Sequence, residues 1–123
     1  MSGEKPKWFT VALLYESVIE GEPINLDKEY DSSNNVYEES HLLVKAVSSE
    51  EAIALGEKIG YENEHHYKNQ YDQTVYWKLV KVLDCFELLD EEFKTGTELY
   101  SRFVLTPKEN STKDVLKRFF QEE

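Results

Sequence analysis

Between Trp8 and Ile19 the sequence WFTVALLYESVI alternates with a period of two, yet both of its faces are apolar. Phe9, Val11, Leu13 and Tyr15 share one face, and Trp8, Ala12, Leu14 and Val18 share the other. Successive side chains of a strand point to opposite sides, so a strand apolar on both belongs inside a sheet that is covered on both. Glu16 interrupts the second face near its end. A second strand is predicted over Val36–Val47. There Leu42, Val44 and Ala46 align with Glu38 and Ser40, while Tyr37, Glu39, His41, Leu43, Lys45 and Val47 form a mixed, partly solvated face.

The longest apolar run, VYWKLVKVLDCFELL from Val75 to Leu89, alternates imperfectly. Trp77 and Leu79 point one way and Val80 and Val82 the other, which a bulge or strong bend near Lys81 would reconcile. After the turn DEEFKTG (90–96), TELYSRFVL (97–105) sets Leu99, Ser101, Phe103 and Leu105 against Glu98, Tyr100, Arg102 and Val104. It reads as a fourth strand.

Two segments carry the other period. Residues 48–66, SSEEAIALGEKIGYENEHH, open with Ser48 and Glu51 in capping-box spacing and an acidic first turn suited to the helix dipole. Ala52, Leu55, Gly56 and Ile59 make a narrow stripe whose small residues allow close approach to a sheet, and Gly60 either ends or weakens the helix. After Pro107, Ser111 and Asp114 mark a second helix start, with Val115, Leu116, Phe119 and Phe120 on one face.

The predicted order is therefore β-β-α-β-β-α. The fold class is α+β, a mostly antiparallel four-stranded sheet with helices packed on one face. The 123 residues suit a single domain, 1–123, with an acidic loop at 20–35 and a C-terminal helix tail at 107–123. Apolar content on both faces of two strands leaves room for a second layer or for a homodimer.

Composition narrows the partners. Apolar residues make up 40% and aromatics 13%, which places the chain among folded proteins. The formal net charge is −11, the wrong sign for binding phosphate backbones or anionic membranes, so neither nucleic acid nor membrane is expected as a partner. The acidity is concentrated: Glu16–Glu39 holds eight acids against Lys28, a net −7. A basic protein partner, or mimicry of nucleic acid, is the sharper reading of that segment, and solubility is the plainer one. One cysteine, Cys85, excludes an internal disulfide and fits a reducing compartment. The N-terminus MSGEKPKWF has no apolar signal core and no run approaches the length of a membrane span, so the expected location is cytoplasmic.

The pieces YEESHLLVKA, a Ser-Glu-Glu-Ala helix start, TVYWKLVKVLDCFEL and GTELYSRF occur in that order. From about Trp8 to Phe103 they resemble a small bacterial family catalogued as domain-of-unknown-function family 4288. The resemblance implies a standalone bacterial or phage-type domain. Its motif residues here would include Tyr37, Glu38, Glu39, Ser40, Trp77, Lys78, Asp84, Glu87, Tyr100 and Arg102. It implies no particular activity.

Chemistry-bearing motifs are few. The sequence contains no phosphate loop, dinucleotide fingerprint, nucleophile elbow or Cys-x-x-Cys pair. Glu62 and His66 would lie at i, i+4 if the helix continued, but two ligands fall short of a catalytic metal site, so no metal or cofactor is expected. Glu38 and Glu39 face apart on one strand. Glu38 with Glu16, or Glu39 with Glu87, could converge for acid–base work. The commoner fate of such acids is pairing across strands, here with Lys45, Lys78, Lys81 or Arg102.

The richer constellation is aromatic and charged: Tyr37, Glu39, His41, Trp77, Lys78, Glu87, Tyr100 and Arg102 as ligand-binding residues. These point to a non-enzymatic binding module that sequesters a ligand or masks a partner, in the manner of an immunity or counter-defence protein. A small carboxylate-dependent hydrolase, or an acidic DNA-mimic or protein-interaction domain, is the alternative.

Overall fold

The computed structural model describes residues 5–121; residues 1–4, and residues 122–123 at the end of the expected helix tail, lie outside the described residues. Four strands and two helices follow in the order β1 (Lys7–Glu20), β2 (Tyr37–Ala46), α1 (Ser49–Glu62), β3 (His65–Lys68), β4 (Thr74–Glu87) and α2 (Thr112–Phe120). The sheet is wholly antiparallel, with strand order β2-β1-β4-β3. The β-β-α-β-β-α order and the α+β class are thus those expected, and β1, apolar on both faces, is an inner strand.

The register assigns each face. Phe9, Val11, Leu13 and Tyr15 stand beside Val44, Leu42, Ser40 and Glu38 of β2 and beside Glu87, Cys85, Val82 and Leu79 of β4. Most of this face is the core: Phe9, Val11, Leu13, Tyr15, Val44, Ala46, Ala52 and Leu79 are buried together. Val11 and Leu13 are fully enclosed, each contributing about 1.5–3 kcal/mol by burial.

Helix α1 covers this face through its small residues. Gly56 and Gly60 are buried, and a Cβ on Gly56 would lie 2.6 Å from Val11 Cγ1. The Tyr15 hydroxyl donates to the Gly60 carbonyl at 2.8 Å, fixing the helix end to the sheet. At the other end the Ser48 hydroxyl accepts from the Glu51 amide at 3.1 Å, the Ser48 half of the expected capping box.

The irregular alternation of β4 has the cause expected for it. The register shifts twice against β1, between Ala12 and Leu13 and between Leu14 and Tyr15, skipping Leu83 and Val80. The shifts bracket Lys81 and carry Leu79 and Val82 to the helix face. At the second shift the Leu79 amide donates to a Glu64 carboxylate oxygen at 2.8 Å.

Two expected elements are corrected. The first helix ends at Glu62 rather than His66. Asn63 caps it, donating to the carbonyls of Ile59 and Tyr61, and His65–Lys68 pairs with β4 as the third strand. That hairpin closes through Asn69, whose side-chain oxygen accepts from Tyr71 and Gln73. The expected strand at 97–105 is not a strand: from Glu98 to Thr106 no backbone–backbone hydrogen bond is made among the described residues. Only its first part meets the sheet. Helix α2 has a full capping box between Ser111 and Asp114 but no buried residue.

The acidic loop is pinned rather than loose. Ile24 N donates to Tyr71 O at 3.0 Å, Gln73 Nε2 to Gly21 O at 3.0 Å, and the Tyr71 hydroxyl to Asp27 at 2.6 Å. Tyr30 packs edge-on against Tyr71 with centroids 4.9 Å apart.

Candidate functional site

The second face of the sheet carries Trp8, Thr10, Ala12, Leu14 and Glu16 of β1. Beside them on β2 stand Lys45, Leu43, His41, Glu39 and Tyr37, and on β4 Phe86, Asp84, Lys81 and Lys78. No helix covers it. Residues 88–101, running on from β4, cross one end of it as a strap. Leu88 N donates to Trp8 O at 2.7 Å, Phe93 tilts against Trp8 at 5.5 Å, and the Thr10 hydroxyl donates to Leu99 O at 3.4 Å.

Under the strap lies an open, largely apolar cavity of about 270 Å³, lined by Thr10, His41, Leu43, Leu88, Phe93, Leu99 and Tyr100. His41, Phe86 and Tyr100 form an aromatic cluster: Phe86 to Tyr100 spans 5.0 Å, His41 to Tyr100 5.9 Å and His41 to Phe86 6.5 Å. Glu39, two residues along the same face of β2, holds His41 Nε2 at 2.6 Å. The carboxylate orients the imidazole, leaving Nδ1 for another partner.

Of the expected ligand-binding residues, Glu39, His41 and Tyr100 are brought together here. Glu87 is next door: it lines a smaller cleft of about 170 Å³ with Tyr100, and it pairs with Lys7 at 3.7 Å. Trp77 and Lys78 line a separate cleft with Glu64, His65, His66 and Tyr76. Trp77 packs partly against the core, and the Lys78 ammonium sits 5.6 Å over the Tyr76 ring. Tyr37 is exposed at the start of β2, and Arg102 lies 5.7 Å from the Phe120 ring, beyond the strap.

The acids meet other partners than expected. Among the described residues Glu39 pairs with His41 and Glu87 with Lys7, not with Lys45, Lys78, Lys81 or Arg102. The register puts Glu39 beside Leu14 and Glu87 beside Phe9, on opposite faces, and likewise separates Glu38 from Glu16. Neither pair of carboxylates shares a cleft. Because the helix stops at Glu62, the i, i+4 arrangement of Glu62 and His66 is not formed. No group of three His, Cys, Asp or Glu side chains able to hold a metal gathers among the described residues.

Cys85 lies on the helix face, its thiol 4.0 Å from Ser49 O; burial, and then Asp84, push its pKa up, which favours the unreactive thiol. Tyr15 is also shifted upward, first by burial and then by the charges of Glu38 and Glu64. No described helix is long and apolar enough to cross a membrane.

Sequence reasoning missed Thr10, Leu43, Leu88, Phe93 and Leu99. Thr10 had a signal, being the one polar residue inside WFTVALL, and it is buried. Phe93 had a weaker one, as a lone aromatic in an acidic turn.

A curled antiparallel sheet with one helix across one face and an aromatic strap over the other defines a small α+β domain. The profile of the family described as Domain of unknown function (DUF4288) matches residues 8–101, and the chain belongs to that family. Its span takes in β1 through the strap and ends just past Tyr100. No curated protein and no solved structure matches this chain.

Proposed function

We propose that this protein is a non-enzymatic binding module that sequesters a small flat ligand under the strap and works as a homodimer. The observation that carries the reading is the apolar cavity with His41, oriented by Glu39, and Tyr100 at its wall. Apolar walls with few convergent polar groups are the common form of a small-molecule site, and about 270 Å³ is small even for one. The ligand that suits it has a single aromatic ring system and one hydrogen-bonding group, met by the free nitrogen of His41. Helix α2, whose outward face carries Phe120 and whose neighbour is Arg102, is available to pack beside α1 or against a second subunit. A cytoplasmic, immunity-like role is consistent with the single cysteine and the acidic surface. Native mass spectrometry of gently purified protein tests the reading. A bound species that is lost in His41→Ala and Tyr100→Ala supports it, and protein free of any adduct in all three samples counts against it.

The acidic loop favours a second reading, a docking surface for a basic protein. Its support is that the segment of net −7 is held in a fixed shape by Tyr71 and Gln73. Association with such a partner would weaken steeply with salt.

A further inference from the structure

We propose that Ser101–Thr106 pairs with the free edge of β2 in a second copy of this chain, and that the exchange is reciprocal. This names the surface of the homodimer in the proposed function and rests on that part of the reading alone, not on the ligand.

The argument begins with two incomplete halves. The segment Ser101-Arg102-Phe103-Val104-Leu105 has strand alternation and aromatic and β-branched content, yet its backbone is unpaired and Phe103 and Leu105 are 99% and 91% exposed. Two large apolar side chains this exposed, two residues apart on one side of an alternating run, offer a surface for a partner. The sheet supplies the other half. β2 is an edge strand of ten residues, and among the described residues no backbone hydrogen bond reaches it except from β1. A long edge is a template for another strand. Six residues span about 20 Å, well within the length of β2.

The charges select the occupant. From Arg102 to Arg118 the chain carries five bases and two acids, a net +3 in a protein of −11, before the acids Glu122 and Glu123. The start of β2 and the loop before it carry the opposite sign, with Asp27, Glu29, Asp31, Glu38 and Glu39. An arm laid antiparallel along β2 would set Phe103 and Leu105 beside Leu43, which is itself half exposed, and carry the bases of α2, which follow the arm, towards those acids. Each copy has one arm and one edge, so a two-fold dimer satisfies both and closes. Leu99 and Tyr100 stay on their own sheet, held by Thr10 and Phe86, so the exchange starts after the strap and leaves the cavity intact.

Light scattering on a sizing column tests this with the full chain at about 0.1 mM and on dilution. The wild type is expected to be a dimer. Phe103→Glu/Leu105→Glu should weaken it about tenfold or more, and Lys113→Glu/Lys117→Glu/Arg118→Glu should weaken it in the same direction. These side chains are exposed, and circular dichroism checks that the variants fold. Amide exchange gives a second readout: Tyr37–Ala46 should be slower in the dimer than in the Phe103→Glu/Leu105→Glu variant. A monomeric wild type overturns the proposal, and so does a dimer indifferent to the arm variants. A ligand that binds wild type and arm variant alike leaves the cavity reading standing whichever way this test falls.

Discussion

Replacing Gly56 by alanine sets two effects of known size against each other. In a helix interior, alanine is favoured over glycine by about 0.8–1 kcal/mol. Against this, the new Cβ would lie 2.6 Å from Val11 Cγ1 and 3.0 Å from Val11 Cβ. Val11 is fully buried on an inner strand and its Cβ is fixed to the backbone, so relief requires the helix to move away from the sheet. Overpacking of this kind costs about 1–3 kcal/mol. The clash is tight and its partner rigid, which puts the cost in the upper half of that range and the net loss at about 1–2 kcal/mol. Gly60→Ala is the internal control. Its Cβ would meet Leu13 Cδ1 at 3.0 Å and Leu79 Cδ2 at 3.1 Å, both ends of rotatable side chains. There the helix gain and the packing cost nearly cancel, within about 0.5 kcal/mol. Urea unfolding followed by circular dichroism measures both variants. Melting should show Gly56→Ala lower by several degrees, since about 1 kcal/mol moves the Tm of a domain this size by roughly 3–6 °C. If Gly56→Ala proves as stable as Gly60→Ala or more so, α1 does not dock on Val11 as described.

Glu64→Ala should cost about 1 kcal/mol or somewhat more, because the Leu79 amide at the register shift loses its acceptor; amide exchange at Leu79 should quicken while that at Val11 follows only global stability. Tyr15→Phe removes the hydroxyl bond to Gly60 and should cost about 0.5–1.5 kcal/mol at neutral pH. Because the folded state raises the Tyr15 pKa above 10.0, its contribution is constant below pH 10 and is lost as pH rises beyond it, so Tyr15→Phe should show a shallower loss of stability in alkali. Asp27 behaves oppositely. The Tyr71 hydrogen bond lowers its pKa, so the loop is held above the ordinary aspartate range and released as pH falls through the folded pKa, which Tyr71 fluorescence or NMR would follow. Cys85 should react with iodoacetamide more slowly than free cysteine until the protein unfolds.

The legible parts of the fold are those where side-chain period and burial agree. WFTVALLY announced an inner strand because both of its faces are apolar, and the conflict between Leu79 and Val82 announced the bulges of β4. The helix end was harder. HHYK is polar and exposed, and it forms a strand only because the Asn69–Gln73 turn returns it to β4, a tertiary cause that periodicity cannot carry. TELYSRFVL erred in the other direction: its alternation is real, but an alternating segment becomes a strand only where an edge receives it. In the candidate site, Glu39, His41 and Tyr100 were legible as an aromatic and charged face. Trp77 was not separable from them: the alternation shows a bend near Lys81 but not that it skips two residues, which puts Trp77 beside Ser17 on the helix face. Leu88, Phe93 and Leu99 were missed because a strap has no period of its own.

The proposed binding role depends most directly on the cavity beneath that strap. Indole is a flat ring system with one hydrogen-bonding group, and titrating it into ¹⁵N-labelled protein while recording amide shifts is the most direct test. Saturable shifts confined to Thr10, His41, Leu43, Leu88, Phe93, Leu99 and Tyr100, and abolished by Tyr100→Ala, are the predicted result. Shifts that are absent, scattered over the surface, or unchanged in Tyr100→Ala would contradict it.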